Sequence, residues 1–183
     1  PAFLKSNMKL KFLLLTFFIA FITHAQNYFA FDFEEVSGAL TALDSVSNSF
    51  YAIYNLYGAP ERVSGVHGNA LRLDGFSTYL DLGSNNLDSV VKELSLSLWY
   101  ATEAFTQDGG ALISKKTTTS GFELKVSPFG IIQFVFHTNN NQFTLASSNP
   151  IAHYNWCRIG VDLDLNSGKA KLLLNGTAID SLN

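Results

Sequence analysis

Cysteine, long apolar runs and charge clusters are scarce in this chain, and each scarcity closes off a class of protein. One cysteine, Cys157, stands in 183 residues, so no internal disulfide can form and no disulfide framework carries the fold. It lies between Trp156 and Arg158 in an apolar, strand-like pattern, which reads as a small buried hydrophobe and not a nucleophile. The apolar run from Phe12 to Ile22, broken only by Thr16, is well short of the roughly 20 residues that span a bilayer as a helix. No block of like charges occurs, and the net charge of −3 argues against nucleic acid or an anionic membrane face as partner. There is no Gly-x-Ser-x-Gly elbow and no phosphate-cradling loop. The glycines of Gly65 to Gly68 precede a strand pattern without a Lys-Ser/Thr successor, so turn geometry explains them. His67, His137 and His153 are scattered, which argues against a catalytic zinc site.

The N-terminal region is organised differently from the rest. The chain starts at Pro1 and its one methionine is Met8, followed by Lys9, Leu10 and Lys11, the apolar run, and Thr23-His24-Ala25. A basic segment, a short apolar core and a small-residue cleavage site in that order form a secretory signal peptide. We therefore read residues 1–7 as upstream of the translated protein, 8–25 as a signal peptide cleaved after Ala25, and 26–183 as one domain. Cleavage removes Lys5, Lys9 and Lys11 and no acid, which takes the net charge from −3 to −6. The expected location is secreted, periplasmic or cell-surface, with no membrane span left after cleavage.

Beyond Ala25 the period is two residues, not 3.6. Phe29, Phe31 and Phe33 alternate within Tyr28 to Phe33. Leu94, Leu96, Leu98 and Tyr100 alternate with Ser95, Ser97 and Trp99, and Phe122, Leu124 and Val126 with Glu123 and Lys125. Ile132, Phe134 and Phe136 share a face opposite Gln133 and His137. Further strands are predicted over 70–74, 78–82, 111–115, 142–146, 155–163 and 169–175. The two strands at 70–74 and 78–82 flank Gly75-Phe76-Ser77 as a strand, a tight turn and a strand. Residues 36–57 read as a loop leading into a strand at Phe50 to Tyr54, and 87–93 as a single helical turn. Pro128-Phe129-Gly130, Asn139-Asn140-Asn141, Asn166-Ser167-Gly168 and Asn175-Gly176 supply turn chemistry. Many short strands with this punctuation make an all-β sandwich or barrel.

The segment Gly65-Val66-His67-Gly68-Asn69-Ala70-Leu71-Arg72-Leu73-Asp74-Gly75 resembles the glycine-rich opening of laminin G-like jelly rolls, a branch of the concanavalin A-like lectins and glucanases. The resemblance extends to Phe31-Asp32-Phe33-Glu34-Glu35, Leu94 to Trp99, Ile113-Ser114-Lys115 with Gly121 to Leu124, and Trp156 to Asp164 with Leu173 to Gly176. It implies a two-sheet antiparallel jelly roll. In such proteins further closing strands, and often a second domain, follow the Asn-Gly hairpin, so the resemblance implies a domain that is C-terminally incomplete here. A looser resemblance, carried by Arg62-Val63, Ala70 to Thr78 and Trp99-Tyr100-Ala101, is to the accessory sandwich of secreted bacterial glycoside hydrolases of the levanase type.

Glucanases of this fold use a Glu-x-Asp-x-Glu strand, because retaining hydrolysis needs two carboxylates about 5 Å apart. The nearest match, Asp162-Leu163-Asp164, lacks the third acid and any glutamate, so no catalytic residue is assigned. Calcium is the cofactor the fold leaves open, with Asp32, Asp74 and Asp81 as candidate carboxylates, although they form no ligand-loop pattern. Sugar binding requires an aromatic platform beside amides or carboxylates, since a pyranose has an apolar face and a polar rim. Trp99 qualifies on the Ser95 and Ser97 face, and Tyr79, Tyr154, Asn140 and Gln142 are further candidates, whereas Trp156 beside Cys157 reads as core. The sequence thus points to a secreted, non-catalytic recognition module. Its expected ligand is a polysaccharide or glycan, and it would stand at the N-terminus of a larger extracellular protein such as a glycoside hydrolase. An adhesion module and a glucanase are the rival readings.

Overall fold

Alternation of apolar and polar residues becomes strands because successive side chains leave a strand on opposite faces. In the computed structural model, which describes residues 28–83, 92–117, 120–138 and 141–182, the strands are β1 (Thr41–Asp44), β2 (Ser49–Tyr54), β3 (Glu61–Ser64), β4 (Asn69–Arg72), β5 (Tyr79–Asp81), β6 (Glu93–Tyr100), β7 (Gly110–Lys116), β8 (Gly121–Val126), β9 (Ile132–Thr138), β10 (Asn141–Ala146), β11 (Cys157–Asp164), β12 (Lys169–Leu174) and β13 (Thr177–Leu182). Two four-stranded sheets, ordered β10-β9-β8-β7 and β13-β12-β11-β6, are accompanied by a three-stranded sheet β1-β2-β5 and a hairpin β3-β4. Every pairing is antiparallel. The fold is an all-β jelly-roll sandwich.

The core is the interface of the two large sheets. Phe122, Leu124 and Val126 of β8, Ile132, Phe134 and Phe136 of β9, and Leu145 of β10 pack with Ile159, Val161 and Leu163 of β11 and with Ala170 and Leu172 of β12. Leu94, Leu96 and Leu98 of β6 close one side. Stacked rings continue the packing from Phe134 to Phe136 to Phe143, with centroids 5.4 Å apart at each step. Full burial of each such side chain stabilises by about 1.5–3 kcal/mol, so the inner faces alone hold the two sheets together. The lone cysteine belongs to this core. Burial pushes its thiol pKa up, and its Sγ lies 3.5 Å from the Tyr100 carbonyl.

Five expectations are corrected. Tyr28 to Phe33 forms only an isolated bridge, Phe31 to Asp44, because Phe33 turns the chain at φ 58°. The loop expected before Phe50 contains β1, which pairs residue for residue with β2. The segments at 70–74 and 78–82 do not pair with each other. The tight turn is Gly65 to Gly68, where Gly65 N–H donates to the Gly68 carbonyl at 2.9 Å, so β4 pairs with β3 and β5 with β2. Gly68 has φ 62°, and a Cβ there would collide with Glu34 Oε1, the oxygen that accepts from Asn69 N–H at 2.8 Å. Glu93, assigned to a helical turn, begins β6, and 84–91 lie outside the described residues. So do the signal peptide and cleavage site. Finally, Trp156 is not core but 36% exposed.

Two buried polar groups tie the N-terminal strands to their neighbours. Asp44 is fully buried and accepts from Ala30, Val46 and Ser47 N–H groups and from the Ser47 hydroxyl. Those donors, the hydroxyl foremost, hold its carboxyl below the usual range. Arg62 of β3 keeps a side chain only 3% exposed and pairs with Glu35 at 3.0 Å. It also donates to the carbonyls of Phe33 and Thr41 and lies over the Phe33 ring. Burial works against the Glu35 charge, yet the Leu43 N–H and Arg62 outweigh it and lower the Glu35 pKa. The Nη1 of Arg62 is buried without a partner, a cost of about 1–3 kcal/mol that the remaining contacts must exceed.

Arg62→Ala should therefore destabilise the domain by about 3–5 kcal/mol, the penalty for leaving one half of a buried pair, as read from urea unfolding. A loss below about 1 kcal/mol, the range of an exposed pair, would show that this network does not anchor β3.

Candidate functional site

Strand β6 reads Glu-Leu-Ser-Leu-Ser-Leu-Trp-Tyr, and its leucines point into the core while Glu93, Ser95, Ser97 and Trp99 are exposed. Its register on β11 sets Trp99 opposite Arg158, Ser97 opposite Gly160, Ser95 opposite Asp162 and Glu93 opposite Asp164. The outer face of this pair is thus one indole followed by hydroxyls and charges. Arg158 Nε donates to Ser97 Oγ at 2.8 Å, and Ser95 Oγ donates to Asp162 Oδ1 at 2.8 Å. Between Arg158 and Asp162, Gly160 contributes no side chain. The main chain of Arg158 is held on its other side by Asn175, whose Oδ1 accepts from Arg158 N–H at 2.8 Å and whose own N–H donates to the Arg158 carbonyl at 2.7 Å. Asn175 and Gly176, with φ of 51° and 82°, form the primed turn that an Asn-Gly hairpin favours.

Trp99 is 46% exposed. Trp156, 36% exposed, precedes β11 by one residue. Tyr154, 75% exposed at φ 60°, donates its N–H to the Thr102 carbonyl at 2.8 Å, just past the end of β6. Trp99, Trp156 and Tyr154 therefore belong to the same end of this strand pair. Behind them His153 packs on Phe105 with centroids 4.4 Å apart.

The other expected sugar contacts lie elsewhere. Tyr79 stacks on Tyr54, 4.9 Å between centroids, in the β1-β2-β5 sheet, where Phe50 is also exposed. Gln142 is exposed on β10 opposite His137, in the second large sheet. Asn140 lies outside the described residues. Arg158, Trp156 and Tyr54 are not among the ligand contacts expected from the sequence. The outward position of Arg158 was readable from the alternation around Cys157 and Ile159, but its pairing with Trp99 is a matter of register and left no local signal.

The carboxylates serve turns. Asp74 accepts from the N–H groups of Phe76, Ser77 and Thr78 and from the Ser77 hydroxyl. Asp81 accepts from Gly83 N–H, and Asp32 from Glu34 N–H. These three calcium candidates close three separate turns. Among the described residues no group of three or more His, Cys, Asp or Glu is arranged to hold a metal ion. Asp164 closes the β11-β12 turn through Asn166 and Ser167, and the Ser167 hydroxyl foremost holds its carboxyl below the usual range. A carboxyl so held is a poor proton donor near neutral pH.

With this geometry in view, the family model designated Laminin_G_3, described as Concanavalin A-like lectin/glucanases superfamily, matches residues 74–183. No curated protein sequence matches the chain. Among solved structures, domain 4 of AbnA, a GH43 extracellular arabinanase from Geobacillus stearothermophilus in complex with arabinotriose, aligns with a TM-score of 0.56 at 21% identity, over 75% of this chain and 68% of that one. An S-layer domain-containing protein (residues 221-444) from Clostridium thermocellum ATCC 27405 gives 0.52 at 19% identity, over 86% and 72%. At these identities both are likenesses of fold.

The Ser77 hydroxyl and the turn N–H groups depress the Asp74 pKa well below the usual carboxylate range. A depressed native pKa contributes stability that is complete above the ordinary aspartate value of about 3.9 and is lost as pH falls through the native value. Asp74→Asn should thus melt below the native protein at neutral pH, and the gap should narrow as pH drops below about 4. A gap independent of pH in thermal unfolding would assign Asp74 no electrostatic part in the turn.

Proposed function

The chain belongs to the Concanavalin A-like lectin/glucanases superfamily, and from that premise we propose that it is a secreted, non-catalytic carbohydrate-binding module that holds a larger extracellular protein, such as a glycoside hydrolase, on its polymer. The observation that carries this reading is Trp99, half exposed on the outer sheet face opposite Arg158, with Ser97 on the same face of its own strand. An indole offers the apolar ring of a sugar a wide, rigid surface, and the Arg158 guanidinium and Ser97 hydroxyl next to it match the sugar's polar rim, with the Asp162 carboxylate further along the same face. Because β6 and β11 are both anchored in the core, the platform is preorganised and binding costs little ordering. The likeness of fold to an arabinanase domain crystallised with arabinotriose lends further support.

The bonds made by the acids support binding without hydrolysis. Retaining chemistry requires one carboxyl that is protonated near neutral pH and a second that is free to attack. Asp162 is engaged by Ser95 and Asp164 by its own turn, so neither is poised for either task. Export rests on the Met8 to Ala25 signal sequence.

Trp99→Ala should weaken binding to a retained polysaccharide by about 1–3 kcal/mol, by analogy with stacking of planar rings on aromatic side chains, in affinity gel electrophoresis, with the melting temperature unchanged. Unaltered retention would return Trp99 to a packing role. Exported protein should begin at Gln26, and N-terminal sequencing that instead found Met8 would refute the assigned leader.

A further inference from the structure

The chain has three arginines, Arg62, Arg72 and Arg158, and two of them are neutralised. Arg62 pairs with Glu35, and Arg72 with Glu61 at 3.1 Å and Glu103 at 2.9 Å. Arg158 has no acidic partner among the described residues. Its one side-chain hydrogen bond is from Nε to Ser97 Oγ, which leaves Nη1 and Nη2 without a partner there. The acid on the same face of β11, Asp162, is four residues along an extended strand, on the order of 13 Å away, and already accepts from Ser95. Ser97 and Asn175 together fix the guanidinium stem and main chain, so the free edge of the fork is held in place on an exposed face. An indole stands directly across the strand pair at Trp99, and a second precedes the strand at Trp156.

Resting on the carbohydrate-binding reading, we infer that the Trp99–Arg158–Trp156 patch recognises a sugar carrying a carboxylate, so that the ligand class is a uronic-acid polysaccharide. The physical reasons are specific. A planar guanidinium with two unused donor nitrogens matches the two oxygens of a carboxylate, and such charge-assisted pairs are stronger than bonds between neutral groups. A neutral sugar would leave that cation unpaired beside apolar rings. The protein as a whole carries a net charge of −3 and does not attract a polyanion, so selectivity must come from this one site and not from a diffuse basic field.

The test uses the full chain in native gels containing polygalacturonate, the same polymer with its carboxyls methyl-esterified, or neutral arabinan. The expected result is binding to polygalacturonate about tenfold or more tighter than to its ester. That preference should shrink as salt rises and vanish in Arg158→Gln, while Trp99→Ala weakens binding to both forms. Arg158→Lys, which keeps the charge and the alkyl stem but not the fork, should retain only part of the preference. Thermal unfolding of each variant controls for folding. Equal binding of acid and ester, or a preference that survives Arg158→Gln, overturns the inference while leaving carbohydrate binding in place. Failure to be retarded by any of the three polymers overturns both.

Discussion

Strand β11 is the constraint on which the rest of this structure depends. Its inward residues Cys157, Ile159, Val161 and Leu163 are buried against the facing sheet, and the pleat that puts them there obliges Arg158 and Asp162 to face outward. A slip of one residue would bury an arginine and two aspartates and expose four hydrophobic side chains, so register is enforced by the core itself. The same register brings Trp99 opposite Arg158. Core and candidate binding face are two sides of one packing decision.

The smaller sheets are held by a different kind of interaction. With short strands and few fully buried apolar residues, β1 to β5 rely on buried polar anchors. Asp44 gathers four donors around the β1-β2 turn, and Arg62 links β3 to the Phe33–Glu35 segment and to Thr41. Such networks give a unique arrangement where apolar packing alone would be permissive, but each depends on nearly complete satisfaction of its donors. The orphaned Nη1 of Arg62 shows that the margin here is narrow. By contrast the candidate binding face carries exposed polar groups, so substitutions there should leave the sheets beneath them undisturbed.

On the outer surface of β6 and β11, Gly160 adds no side chain between Arg158 and Asp162. Exposed sheet faces suit extended polymers, whereas a deep pocket suits a chain end or a small molecule. Affinity on such a face comes from a few rigid aromatic contacts, and selectivity from the few charges placed among them.

Read without coordinates, the residues determined the class of fold and much of the core. The alternation in Leu94 to Tyr100, Phe122 to Val126 and Ile132 to Phe136 has only one solution once a face must be buried, and the Asn-Gly and Asn-Ser-Gly turns announce themselves through backbone conformations that few residues tolerate. The exposure of Trp99 was legible for the same reason. What only the tertiary structure decided was pairing between distant strands. Nothing local to residues 70–82 reveals that β4 turns back on β3 and β5 crosses to β2, because partner choice depends on which edges are left open when the whole sheet assembles. Nor does anything near Trp156 reveal that it lies outside the core, since β11 begins one residue later. The juxtaposition of Arg158 and Trp99 joins residues 59 positions apart, and only the β6-β11 register, fixed by the buried faces of both strands, brings them together.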